Sequence, residues 1–189
     1  EADSLNAIIL GEDVDPSMPE WDIFIKEVRK EMTVKAGQKC TAIRRIFVPE
    51  NRMEETWKAI AASLKQTTIG NPLNEKVRMG SLAGQGQRME VKQQVQKLLA
   101  SSQIIYGSLD SVEVIDADPK KGAFISPILL KNETLSLPMQ CTKSKCSARP
   151  VRSCLTKTSR RRLNLAKRGR VPCVVRSCPR MTTLLPIML

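Results

Sequence analysis

The sequence predicts an α/β layer fold with a largely parallel sheet, and three observations lead there. Short apolar runs alternate with longer stretches whose apolar residues recur every three or four positions, so strands and helices take turns along residues 1–130. The helical stretches are long enough to act as crossovers between parallel strands, which a tight hairpin cannot join. The alternation then stops where the composition changes abruptly, so the pattern belongs to one part of the chain.

Each element follows from local chemistry. Asn6–Leu10 (NAIIL) is a short apolar strand that runs into an Asp- and Pro-rich loop. From about Pro19 to Lys35, Trp21, Phe24, Ile25, Val28 and Met32 fall on one helical face, and Gly37 ends the helix. Arg45–Val48 returns as a strand. A second helix is expected from Met53 to Gln66, with Asn51 as N-cap, Glu54 completing a capping box, and Trp57, Ile60, Ala61 and Leu64 inward. Gly70-Asn71-Pro72 breaks the chain. A third helix, about Gln87 to Ser101, buries Val91, Val95, Leu98 and Leu99, and Ile104–Tyr106 and Ala123–Leu130 are strand candidates.

The composition divides the chain near residues 131–139. Residues 1–130 hold 17 Lys and Arg against 18 Asp and Glu, whereas 131–189 hold 14 against one acid, Glu133. All six aromatics (Trp21, Phe24, Phe47, Trp57, Tyr106, Phe124) precede the break, and five of the six cysteines (Cys141, Cys146, Cys154, Cys173, Cys178) follow it. The net charge of +12 thus averages two unlike parts. We expect a domain at 1–134 and a basic, Cys- and Arg-rich tail at 135–189 that is disordered or irregular.

The chain opens on Glu1 with no basic n-region or apolar h-region, which argues against a secretory signal and places the true start upstream. No apolar run reaches the roughly 18 residues of a membrane span, so no membrane partner is expected. Without a signal, six cysteines do not suggest a disulfide framework, and a cytoplasmic location is expected.

The stretch Val34 to Val48 carries the chemistry. Cys40 follows a helix through a Gly-containing turn and leads into a strand. A cysteine so placed is more often a buried structural residue than a reactive one. A junction between elements nevertheless lets it approach a substrate, and Lys35, Lys39 and Arg44 nearby favour the thiolate. Lys39 and Arg44 themselves read as ordinary surface charges. Gly84-Gln85-Gly86 lacks the third glycine of a dinucleotide loop and reads as flexible.

Gly37-Gln38-Lys39-Cys40 resembles the Gly-Gln-x-Cys nucleophile signature of the aldehyde dehydrogenases. The longer string KAGQKCTAIRRIFVP is similar to the branch of that family that acts in phenylacetate breakdown. Glu1-Ala-Asp-Ser-Leu-Asn6 resembles that branch's version of the general-base segment, where most members carry Glu-Leu-Gly-Gly. Glu1 precedes Cys40 by 39 positions, a separation that fits the family. Val77–Leu82 and Gly122–Leu130 resemble later parts of the same domain.

The resemblance implies that residues 1–134 are a partial three-layer catalytic domain. Cys40 would be the nucleophile that forms a thiohemiacetal and then a thioester, and Glu1 the general base. The implied cofactor is NADP or NAD, its main binding domain being absent from these residues. The implied substrate is a small-molecule aldehyde, a CoA-linked semialdehyde, and the full-length enzyme would be a homo-oligomer. These residues alone are expected to be inactive.

For the tail, a nucleic-acid-binding arm and a zinc site compete with a third reading. Fourteen cations could neutralise phosphates, making the chain a non-enzymatic basic binding protein. Without aromatics or a motif, however, no specific nucleic acid is expected. Cys141-x4-Cys146 and Cys173-x4-Cys178 lack the usual zinc spacing, and no metal is expected. The preferred reading is a shifted reading frame beginning between about Thr134 and Met139. Back-translating Pro138–Arg149 and reading from the third base of the proline codon permits D-A-V-H-E-V-E-V-F-G-P, whose E-V-F-G-P is a family motif. Gly169–Thr182 in the same register permits G-S-L-R-G-S-L-V-S-E-D-D, which also resembles the family. A vestigial fragment without a role is the remaining alternative.

Overall fold

The computed structural model describes residues 6–132 and two further strands at 152–157 and 175–177. In chain order the elements are β1 (Ala7–Ile9), α1 (Pro19–Thr33), β2 (Arg45–Val48), α2 (Met53–Lys65), α3 (Gln85–Leu99), β3 (Gln103–Tyr106), β4 (Ile128–Lys131), β5 (Arg152–Lys157) and β6 (Val175–Ser177). They build one six-stranded sheet in the order β3-β4-β5-β2-β1-β6. Every pairing is parallel except β3 with β4. The expected α/β fold with a largely parallel sheet is the fold observed.

Period-two alternation sorts the strand residues between two cores. Ile8, Ile46, Val48 and Leu129 face α1 and α2, packing with Phe24, Val28, Met32, Ile60 and Leu64. Ile128 and Leu130 face the other way, packing with Val91, Val95 and Leu98 of α3 and with Phe124. Helices thus cover both sides of the sheet, giving three layers. Burial of each large apolar side chain contributes roughly 1.5–3 kcal/mol.

Helix α1 starts at Pro19, whose missing N–H costs nothing in the first turn, and Glu20 and Asp22 there oppose the positive end of the helix dipole. Trp21, Phe24, Ile25, Val28 and Met32 are all buried, as their spacing predicts.

Four local expectations are corrected. Asn51 is not the N-cap of α2. Glu50–Arg52 winds into a 3-10 turn after Pro49, so Arg52 takes the capping position and no side chain caps the helix. The buried face of α2 is Met53, Thr56, Ile60 and Leu64, with Trp57 and Ala61 only partly covered. In α3, Leu99 lies at the exposed end of the helix while Leu98 points inward. The expected strand Ala123–Leu130 is paired only from Ile128. Pro127 has no N–H to give a ladder, although Ala123, Phe124 and Ile125 are buried in loop form.

Two segments beyond residue 134, Arg152–Lys157 and Val175–Ser177, join the sheet as β5 and β6. β5 lies between β2 and β4, with Ile46 beside Leu155 and Leu129 beside Ser153, and β6 flanks β1. The ladder is made by the backbone, so a segment with no hydrophobic period can fill a vacant strand position when its residues tolerate extended chain. The remainder of the tail, including Cys141, Cys146, Cys173 and Cys178, lies outside the described residues, as does Glu1.

Candidate active site

The route from α1 to β2 passes through an unusual piece of backbone. Thr33 closes α1, its Oγ1 donating to the carbonyl of Arg29 at 2.8 Å. Lys35, Ala36 and Gly37 then all take left-handed φ values, 53°, 50° and 70°. Only glycine adopts that region without penalty, so Lys35 and Ala36 are strained. The three residues reverse the chain and deliver it to a tight turn closed by the Ala42 N–H donating to the Lys39 carbonyl at 3.2 Å. Cys40 occupies this turn and is exposed.

Side chains from four directions brace the turn. Lys39 Nζ meets Glu31 Oε1 of α1 at 2.7 Å, and that carboxylate is 1% exposed. Gln38 Oε1 accepts from the Ala83 N–H at 3.2 Å, while its Nε2 donates to Gln87 Oε1 on α3. Arg44 Nη2 donates to the Gly37 carbonyl at 3.1 Å. Asn6, at the entry to β1, donates through Nδ2 to the carbonyls of Cys40 at 2.6 Å and Ala42 at 3.3 Å.

These contacts correct the reading of Lys39 and Arg44 as ordinary surface charges: both hold the turn. They also bring in Asn6 and Glu31, which the sequence reading missed. Glu31 could have been found, because it lies three residues after Val28 and beside Met32, on the apolar stripe of α1. An acid on such a stripe needs a partner. Asn6 gave a fainter signal, a carboxamide opening an otherwise apolar strand. The parallel register pairs Ala7 with Arg45, so the entries to β1 and β2 lie side by side. The cysteine turn therefore sits where the chain enters β1.

Among the described residues no three His, Cys, Asp or Glu converge as a metal site would require, and no helix is long and apolar enough to cross a membrane. Gly84 opens α3 from a loop rather than from a strand.

The domain is a three-layer α/β fold that presents an exposed cysteine on a braced turn before a parallel strand. Residues 1–143 match the model of the aldehyde dehydrogenase family, and the chain belongs to that family. It is 42% identical over 130 residues to a 3,4-dehydroadipyl-CoA semialdehyde dehydrogenase of Aromatoleum evansii, covering 69% of this chain and 25% of that protein. It is 27% identical over 136 residues to betaine aldehyde dehydrogenase 1 of Oryza sativa subsp. japonica, covering 69% and 24%.

Among solved structures, the apo betaine aldehyde dehydrogenase of Staphylococcus aureus superposes with a TM-score of 0.71 at 21% identity, covering 86% of this chain and 31% of that one. The succinic semialdehyde dehydrogenase of Streptococcus pyogenes, solved in complex with NADP+, gives 0.69 at 18% identity, covering 86% and 33%. At these identities the likeness establishes the fold. The chain spans about a quarter of the length of the two curated relatives just named.

Proposed function

We propose that this chain carries the reacting segment of an aldehyde dehydrogenase, with Cys40 as nucleophile and Glu1 as general base. The observation that carries the reading is an exposed cysteine on a rigidly braced turn, in a chain of this family. The Cys40 thiolate adds to the aldehyde carbon, the carbonyl π pair moves onto oxygen, and we assign the Cys40 backbone N–H to hold that oxyanion. A nicotinamide cofactor, when bound, supplies the hydride acceptor. The described residues do not fit as its cradle, since Gly84-Gln85-Gly86 lacks both the third glycine and a preceding strand. No step on the cofactor is assigned to them. With the acyl carbon held on Cys40 as a thioester, Glu1 takes a proton from the water that attacks it.

The substrate we assign is a CoA-linked semialdehyde of phenylacetate breakdown, with NADP as cofactor. The string KAGQKCTAIRRIFVP supports this, as does the similarity to a relative named for a CoA semialdehyde. The longer enzyme would be a cytoplasmic homo-oligomer that needs no metal, membrane or nucleic acid. A frame shift near residues 134–139 would explain why the tail is so basic, and reading the gene in all three frames tests it.

The activity test uses the chain as it stands. A trifluoromethyl ketone should add reversibly to Cys40, seen as a 19F resonance that a Cys40→Ser chain lacks, while the 189 residues alone reduce no NADP. The nucleophile assignment fails if the ketone adds equally well to the Cys40→Ser chain. Turnover of NADP by the isolated chain would overturn its expected inactivity.

A further inference from the structure

We infer that Asn6 is the positioning residue of the nucleophile turn, an inference that rests on Cys40 being the nucleophile. Asn6 is 2% exposed, and its carboxamide nitrogen reaches two carbonyls of one turn, those of Cys40 at 2.6 Å and Ala42 at 3.3 Å. Its own backbone carbonyl accepts from the N–H groups of Arg44 at 2.9 Å and Arg45 at 3.1 Å. One residue therefore grips the turn by its side chain and the segment leading into β2 by its main chain.

The consequence follows from the planarity of peptides. The plane between Lys39 and Cys40 is held at the Lys39 oxygen by the Ala42 N–H. The plane between Cys40 and Thr41 is held at the Cys40 oxygen by Asn6. With both flanking planes fixed, the direction of the Cα–Cβ bond of Cys40 is fixed too, leaving the thiol only its rotamer choice. The Cys40 N–H lies in the first plane, so the sulfur and the assigned oxyanion donor are set relative to one another.

The chemistry of the contact limits which side chains can make it. A carboxamide nitrogen has two hydrogens and can donate to two carbonyls at once, whereas Asp only accepts, Ser donates once and Ala not at all. A strand tie alone would not require it, because the β1–β2 ladder and the Leu10 N–H to Phe47 carbonyl bond at 2.8 Å already join those strands. Burying a carboxamide there is costly unless its hydrogens are bonded, and here they are bonded to the turn.

The experiment compares two electrophiles on the 189-residue chain and its Asn6→Ala, Asn6→Asp and Asn6→Ser variants. Iodoacetamide reacts by displacement and needs only an accessible sulfur; its rate at Cys40 is followed by peptide-resolved mass spectrometry. The trifluoromethyl ketone reacts by addition and needs the sulfur and the oxyanion donor together; its adduct is followed by 19F NMR. Asn6→Ala and Asn6→Asp should weaken the ketone adduct about tenfold or more, the scale expected for a small misplacement of a reacting group. Their iodoacetamide rates should change less than about threefold, with Asn6→Ser intermediate for the ketone.

Equal effects on both probes, or no effect on either, would overturn the positioning role while leaving Cys40 as nucleophile. No ketone adduct at Cys40 in the parent chain would remove both. Should the variants not fold, the parent decides: ketone addition should move the Asn6 side-chain amide resonances, and unmoved resonances would overturn the inference.

Discussion

Lys35 and Ala36 hold left-handed φ values of 53° and 50° directly before the Cys40 turn, and each is strained by the clash of its Cβ with the following carbonyl. Lys35 is exposed, so replacing it costs little packing, whereas Ala36 is buried in the core below α3. Lys35→Gly should therefore raise stability by about 0.5–1 kcal/mol, the relief of strain exceeding the extra entropy of a glycine in the unfolded chain. Urea unfolding measures this, and a loss of stability would refute the strain. Ala36→Gly should gain less, because it also removes a buried methyl.

Lys39 belongs to the same scale. Its ammonium lies 2.7 Å from a carboxylate that is 1% exposed, so Lys39→Met takes the cation from a buried charge. The expected cost is about 3 kcal/mol, and the double variant Lys39→Met with Glu31→Leu should recover much of it. A Lys39→Met chain as stable as the parent would mean the pair is as weak as an exposed one.

At the scale of elements, the sequence was readable wherever one face of an element is buried. The stripe Trp21, Phe24, Ile25, Val28, Met32 located α1, and Arg45–Val48 was read to the residue, because burial imposes the period that the reading detects. It was unreadable where a competing local structure took over. The 3-10 turn at Glu50–Arg52 displaced the capping box, and Pro127 cut β4 short. The Cys40 turn was marked by its Gly-Gln-x-Cys string, but its supports were not, since Asn6 and Glu31 are brought to it by tertiary contact across 34 and 8 positions from Cys40 and Lys39 respectively.

Tyr106, at the end of β3, offers a probe of this scale. Burial against the α1–α2 core raises its phenol pKa above the ordinary value of 10.0. Between 10.0 and that raised value the folded chain keeps a proton the unfolded chain has lost, so the tyrosine's contribution to stability falls as pH rises through this window. It is the only tyrosine in the sequence, so tyrosinate absorbance reads it alone. The folded chain should ionise at higher pH than the chain in urea, and Tyr106→Phe should lose less stability above pH 10 than the parent. Coincident titration curves would contradict the burial.

For the whole molecule, the position of β5 decides whether the ladder is continuous. The strands contributed by residues 1–134 form two separate pairs, β3 with β4 and β1 with β2, and β5 joins them. A two-stranded sheet is marginal by itself, and an uncovered parallel edge invites pairing with another chain. If the tail acted instead as a polyanion-binding arm, removing it would also abolish binding. A chain ending at residue 134 should therefore lose the cooperative thermal transition of the 189-residue chain and self-associate, as calorimetry and sedimentation would record. A monomeric truncated chain that melts sharply at the parent's temperature would show that β1–β4 cohere unaided, and that the joining strand contributes nothing to the fold.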